Sequence, residues 1–196
     1  MTTVVFDISM SMDGYIAASG ITPEVPLGVD GERLHDWAFG GDPVNAAYLK
    51  RSVEGNGAVI TGRVNYEASI PWWGADGPTG PVRRPVFVVT RAEPPGSPDG
   101  GVYTFVTDGI EAALDKAKAA AGDRQVTIMG RARIGCSYLR AGLVDEVSLH
   151  LVPVLFGGGI RMFEHLADEH ISLEILDVLT TPSAIHTRFA VNRGGA

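Results

Sequence analysis

Short apolar runs alternate along this chain with segments of helical spacing. Residues 3–10 (TVVFDISM) read as a strand entering a core, broken at Ser11-Met12-Asp13-Gly14 and briefly resumed at 15–17. Residues 18–41 are rich in Gly, Pro and Asp, with Leu34 and Trp37 as apolar anchors. A loop of that length in a compact domain is usually functional or a lid. Asp42 is placed to cap a helix with Pro43 at its first position, carried on by Val44, Ala47, Tyr48 and Arg51 and ended at 55–57. Strand patterns follow at 58–61, 86–89, 102–106 and 126–129. Between them lie a short helix at 64–69, an irregular excursion at 71–85, a Pro/Gly loop at 91–101 and an Ala-rich helix. Asp108 is expected to cap that Ala-rich helix, Ile110, Leu114, Ala117 and Ala121 to share one side of it, and Gly122 to close it.

Gly130 then turns the chain into a helix over 133–140 that ends at Gly142. Residues 144–156 predict one long strand, with Ser148, His150 and Val152 on one face and Val147, Leu149 and Leu151 on the other. Pro153 predicts a bulge or an edge near its end. The tail reads as a hairpin, 171–178 and 184–191, across Thr180-Thr181-Pro182-Ser183. Strands alternating with helices predict one α/β domain over 1–196, with a mostly parallel central sheet and an antiparallel C-terminal hairpin.

Composition narrows the class of partner. A net charge of −7, with arginines only in short clusters, excludes a broad basic face for duplex nucleic acid. Those clusters suit a small anionic ligand instead. No apolar stretch reaches the roughly 20 residues of a membrane span, so no membrane partner is expected. The start of the chain lacks a basic segment leading into a long apolar one, so a cytoplasmic protein is expected. Cys136 is the one cysteine and reads as a buried thiol. His165 and His170 are five apart, off the spacing of a helical metal site, so no metal is expected.

Three strand ends share one form: Thr61-Gly62-Arg63, Thr90-Arg91 and Gly130-Arg131. In open α/β sheets, ligands collect beyond the carboxyl ends of the strands. Helix N-termini there offer free N–H groups and partial positive charge. With an arginine at each, the set would suit a dinucleotide that carries an extra phosphate; three solvated arginines at ordinary turns is the alternative. Gly157 to Gly159 do not fit the spacing G-x-G-x-x-G, so the commonest dinucleotide fingerprint is missing.

The stretches "ISMSMDGYIA" (8–17), "VITGRVNYE" (59–67), "VFVVTR" (86–91) and "VTIMGRARIGCSYLRAGLVDEVSLHLVPVLFGGGIRMFE" (126–164) resemble the dihydrofolate reductase-like superfamily. The branch they resemble is the C-terminal reductase domain of riboflavin biosynthesis enzymes and its stand-alone relatives. The resemblance spans nearly the whole chain, and its specific block is 130–164. It implies a dihydrofolate reductase-like three-layer α/β fold, NADPH as cofactor, and hydride transfer to a small heterocyclic substrate of the pteridine or aminopyrimidine class. It implies Met10 beside the nicotinamide, with Asp13, Ile16 and Ala17 lining the loop around it. Gly62, Arg63 and Asn65 would sit at the pyrophosphate end. Thr90 and Arg91 would approach the adenosine ribose and its 2′-phosphate. Gly130, Arg131, Ala132, Arg133 and Ile134 would wrap the pyrophosphate at a helix N-terminus. The chain departs from the riboflavin enzymes at Asp7, where they carry Lys, and at Met129, where they carry Glu. Asp7 reverses the charge offered to a phosphorylated substrate.

Catalytic candidates are His150, Asp13 and Tyr66. Each has a plainer reading: a hydrogen-bonded structural histidine, a turn-forming Asp before Gly14, and core packing. Trp37, Tyr66 and Trp72 are candidates to stack on a flat ring, with Trp37 taken as substrate-binding; Asp36 and Asp42 are possible acids. Gly157 and Gly158 read as a bend that shapes the pocket rim and lets substrate approach. A non-catalytic NADP-binding sensor and an oligomeric interaction module remain as alternatives. The apolar long strand and the C-terminal hairpin suggest a homodimer.

Overall fold

The computed structural model describes residues 2–166 and 170–192. In chain order the elements are β1 (Val4–Ser11), β2 (Tyr15–Ala18), a 3-10 turn (Gly31–His35), α1 (Asp36–Phe39), α2 (Pro43–Gly55), β3 (Asn56–Gly62) and α3 (Arg63–Trp73). After a second 3-10 turn (Gly80–Val82) come β4 (Val86–Val89), β5 (Tyr103–Val106), α4 (Gly109–Ala121), β6 (Gln125–Ile128) and α5 (Ala132–Arg140). β7 (Glu146–Val152), β8 (Gly159–Arg161), a 3-10 turn (Glu164–Leu166), β9 (Ser172–Thr180) and β10 (Ile185–Asn192) complete the order.

Eight strands form the main sheet in the order β5-β4-β3-β6-β1-β7-β10-β9. The six from β5 to β7 are parallel, and β10 and β9 join antiparallel, as the alternating pattern and the terminal hairpin predict. β2 and β8 pair separately. The inner strands are apolar on both faces because helices cover both. On one face Phe6, Ala58, Ile60, Phe87 and Ile128 pack with Ala113, Leu114 and Ala117 of α4. On the other, Val59, Val86 and Val88 pack with Tyr66 of α3, and α2 covers β7 and β10. The result is three layers, helices–sheet–helices.

Several local predictions change. The strand expected over 144–156 stops at Val152, because Pro153 has no N–H for the ladder and Val154 N–H bonds back to the Val152 carbonyl. The chain then turns through Gly157 and Gly159, at φ 68° and 133°, and returns as β8 beside β2. A Cβ on Gly159 would lie 2.0 Å from the Ala17 carbonyl oxygen, so close backbone approach requires glycine there. α3 runs on to Trp73, with Pro71 in its last turn, where little helix remains to be disrupted. Asp42 caps α2 through both Val44 N–H and Asn45 N–H, but Asp108 makes no side-chain cap to α4. The long loop holds the first 3-10 turn and α1, which bring Leu34 and Trp37 into the core.

α5 approaches the sheet closely at Gly135, where an added Cβ would lie 1.9 Å from the Phe6 ring. Gly135→Ala should therefore destabilise the protein by at least ~1–3 kcal/mol, the usual range for overpacking, read from urea unfolding. An unchanged midpoint would show that α5 does not press on β1.

Candidate active site

Two groups of polar residues meet the parallel strands on the face that α2 and α3 cover. The first lies at the ends of β3, β4 and β6. Gly130 has φ 123°, and a Cβ there would meet Asn65 Cγ at 2.9 Å and Thr61 Oγ1 at 3.0 Å. Asn65 Nδ2 donates to Thr61 Oγ1 over 3.1 Å, and the nearest side-chain atom to a Cβ on Gly62 would be Ile134 Cβ, at 3.7 Å. The strand ends preceding α3 and α5 are thus packed together. Neither Gly62 nor Arg131 makes a side-chain cap to the helix it precedes, and Ile134 N–H bonds the Arg131 carbonyl at 3.2 Å.

The arginines of this region divide. Arg63 is engaged: Nε bonds Glu67, and Nη1 reaches the Ala92 carbonyl at 2.9 Å and Thr90 Oγ1 at 3.4 Å. Arg131 Nη2 donates to the Pro26 carbonyl at 3.0 Å, so this side chain ties down the long loop rather than extending into the turn. Arg91 and Arg133 are exposed. Ala132 is buried and Ile134 half-buried at the first turn of α5.

The second group is a polar floor on β1, β7 and β10. Register puts Asp7 opposite Ser148 and Ser148 opposite Arg188; the next row is Ser9, His150 and His186. His150 Nδ1 and His186 Nδ1 are 2.9 Å apart. His186 Nε2 lies 2.9 Å from Asn45 Oδ1, and Asn45 Nδ2 donates to Ser183 Oγ over 2.9 Å. His150 Nε2 lies 3.4 Å from Asp7 Oδ2. Tyr48 of α2 shares a 3.2 Å hydrogen bond with Ser148 Oγ. Trp37 covers the row, with its ring 4.4 Å from that of His150 and its indole N–H donating to Ser9 Oγ over 3.0 Å. Arg188 bonds Glu146 and, at 3.2 Å, Gln125 Oε1.

Burial, joined by the neighbouring His150, pushes His186 down to about 4. Burial acts to raise Asp7, but His150, through charge and a hydrogen bond, with Ser148 and Arg188, holds the carboxyl below its ordinary value. Asn45 and His186 have no counterpart among the readings from sequence, whereas Asp7 is marked there as a charge reversal and Ser148 as a neighbour of His150 on one strand face. His186 and Ser148 share one sequence signal, period-2 polarity, Ser148/His150 and His186/Arg188, on strands whose partners only the fold reveals.

Two catalytic candidates, Asp13 and Tyr66, make structural contacts away from His150. Asp13 accepts from Ser11 Oγ, Phe156 N–H and Gly157 N–H. Those bonds, the Ser11 hydroxyl first, outweigh desolvation and hold its carboxyl at about 2. Asp13 pins the 11–14 turn to the glycine bend, the turn-forming role of its plainer reading. Tyr66 lies under β3–β5, edge-on to Tyr103 and Phe105, with its hydroxyl on Ser97. β3 and β7 are three strand spacings apart, roughly 14 Å, so Tyr66 does not join His150. Met10 is half-buried near the end of β1, and Ile16 and Ala17 are buried in β2. Gly157 gives its N–H to Asp13, and Gly158 faces Ser19. Trp72 is 71% exposed on α3, away from the Trp37 cluster. Asp42 is spent on its cap, and Asp36 lines a surface hollow.

Comparisons with known proteins give the family and the fold. Residues 2–187 match the RibD C-terminal domain, and the chain belongs to that family. Among solved structures it is similar to a candidate riboflavin biosynthesis protein from Shewanella sp. PV-4, with TM-score 0.69, 23% identity, and 98% of this chain and 100% of that one covered. It is similar also to a diaminohydroxyphosphoribosylaminopyrimidine deaminase/5-amino-6-(5-phosphoribosylamino)uracil reductase from Thermotoga maritima (TM-score 0.63, 12% identity, 97% of this chain, 57% of that one). A third is dihydrofolate reductase from Enterococcus faecalis complexed with NADP(H), with TM-score 0.60, 16% identity, and 97% and 96% covered. These likenesses establish the dihydrofolate reductase-like fold. No curated protein matches the chain significantly. Among the described residues, no helix is long and apolar enough to cross a membrane.

The acid response of stability should report the floor. His186 titrates near 4 when folded and near 6.5 when unfolded, so the unfolded chain binds more protons between those values. The stabilising contribution is complete above pH 6.5 and falls as pH drops toward 4, by on the order of 1–3 kcal/mol. Urea midpoints from pH 7.5 to 4 should show this decline, and His186→Gln should flatten it; an equal slope in both proteins would remove His186 as its source.

Proposed function

We propose that this protein is an NADPH-dependent reductase that transfers a hydride to a small heterocyclic substrate of the pteridine or aminopyrimidine class. One observation carries the cofactor reading. Gly130 packs on Thr61 and Asn65, so two uncapped helix N-termini share one ligand-facing edge. The exposed Arg91, at the end of β4, supplies a cation for a 2′-phosphate. The residues therefore fit a phosphorylated dinucleotide: Gly62, Asn65, Gly130, Ala132, Arg133 and Ile134 along the pyrophosphate, and Thr90 and Arg91 at the adenosine end. Met10, Ile16 and Ala17 would border the nicotinamide, which supplies hydride when bound. That a solved relative by fold is a dihydrofolate reductase complexed with NADP(H) supports the same reading.

The substrate would lie over the floor of β1 and β7. Asp7 and its partner His150 present no fixed positive charge there, so a phosphoribosyl group is not favoured at this point. Trp37 would contribute an aromatic wall, and Gly157 and Gly158 the opposite rim. A second copy would pair along β9, an edge strand whose Leu173, Ile175, Leu176 and Val178 are exposed. A working place in the cytoplasm fits the thiol Cys136.

Titration calorimetry with NADPH, then a screen of pteridines and pyrimidines followed at 340 nm, tests the reading; binding without turnover on any of them would favour a sensor. Arg91→Ala should weaken NADPH roughly ten- to hundredfold, the loss of one charge-assisted contact of ~1.5–3 kcal/mol. NADH affinity should change by less than about twofold. Equal losses for the two would remove Arg91 from the 2′-phosphate.

A further inference from the structure

The hairpin that ends the sheet has two unlike faces. On the side of α2 it carries His186 and Arg188 of β10, with Asp177 and Glu174 of β9 opposite Arg188 and Ala190. Side chains alternate along a strand, so the residues between them belong to the side of α4 and α5. There the register sets Ile185 beside Thr180, Thr187 beside Val178, Phe189 beside Ile175 and Val191 beside Leu173. Six of these eight residues are apolar, the other two are threonines, and none is charged.

The core under α4 and α5 does not extend over this end of the sheet. Among the described residues its buried part ends at Val147 of β7; of β10 only Val191 packs against it, and of β9 nothing does. Ile175, Val178 and Leu173 are left 67%, 52% and 42% exposed. β9 is the last strand, so no neighbour shelters them. With the half-buried Leu149 and Leu151 of β7, the patch crosses three strands over about seven residues, roughly 14 Å by 23 Å. Apolar patches of a few hundred Å² or more mark contact surfaces.

We propose that a second copy of this chain packs on this face, sheet against sheet about a two-fold axis, with Phe189 near the centre. This rests on the second copy placed along β9 above and assigns the surface of the hairpin that meets it. Charge selects the occupant. In a two-fold contact a patch meets itself, so any charge on it would face its own kind. This patch has none. An anionic membrane surface is disfavoured, because Glu174 and Asp177 border the patch on β9 and the chain carries a net charge of −7.

Pairing through the open edge of β9 is opposed twice. The register shifts between Arg188 and Phe189, which leaves Leu176 unpaired in a bulge that interrupts the ladder an added strand would need. An antiparallel edge-to-edge pair would also bring Glu174 and Asp177 of both copies to one face, like charges across the seam. Face packing avoids both. It sets the sheets about 10 Å apart with apolar side chains interleaved. Phe189, between Val147 and Ile175 in its row, supplies the aromatic anchor that such contacts hold near their middle.

Sedimentation velocity of the full chain over a range of concentrations tests the assignment. We expect the wild type to run as a dimer at micromolar concentration and to stay one in high salt, since no ion pair holds this face. Ile175→Lys and Val178→Lys change residues exposed in the single chain and put a charge into the contact. Each should weaken the dimer at least ~100-fold. Glu174→Lys, on the same strand but the other face, should change its Kd by less than about twofold. Far-UV circular dichroism checks that each variant folds, and Leu173→Lys replaces one that does not. A dimer untouched by the face variants, or one broken by Glu174→Lys instead, would overturn the face assignment and keep the second copy. A wild type that stays monomeric throughout would overturn both and give the face to a partner other than this chain.

Discussion

The register among β1, β7 and β10 is the constraint on which the candidate site depends. β1 and β7 run parallel while β10 returns antiparallel, yet all three place their polar residues in shared rows: Asp7–Ser148–Arg188 and Ser9–His150–His186. Side chains alternate faces with period 2, so a slip of one residue on any strand would send these groups into the apolar layer under α4 and α5. The hydrophobic demand of that layer, met by Phe6 and Val147 on the same strands, therefore holds the polar rows in place.

A second constraint shapes the rim. Asp13 gathers three donors from Ser11, Phe156 and Gly157, and Gly159 lets β8 close on β2. Together they lock the turn after β1 to the bend after β7. The residues that looked most chemical in the turn, an acid and three glycines, act as a clasp. That leaves the floor, where His150, His186 and Asn45 are hydrogen-bonded in a row, as the buried polar group not spent on the clasp.

Much of the fold was legible along the chain, because apolar periodicity and glycine punctuation act locally. The strands at 58–61, 86–89 and 126–129, the Asp42 cap and the terminal hairpin all follow from nearest-neighbour chemistry. The misread elements were those where one residue's backbone limits compete with a pattern: Pro153 ended a strand that the alternation favoured, while Pro71 did not end α3. The site was legible only in part. His150 and Trp37 could be singled out by type and face; Tyr66 could be too, but strand order carries it three strands away.

By itself the sequence determined which segments are strands or helices, which faces are apolar, and where glycine turns precede helices. These are properties of short windows, decided by propensity, period and φ. Only the tertiary structure decided that Asp7, Asn45, His150 and His186 meet, because 36 residues separate the two histidines and 141 separate His186 from Asn45. Contacts at that range are set by strand order and register, which come from the packing of the whole sheet between its helices.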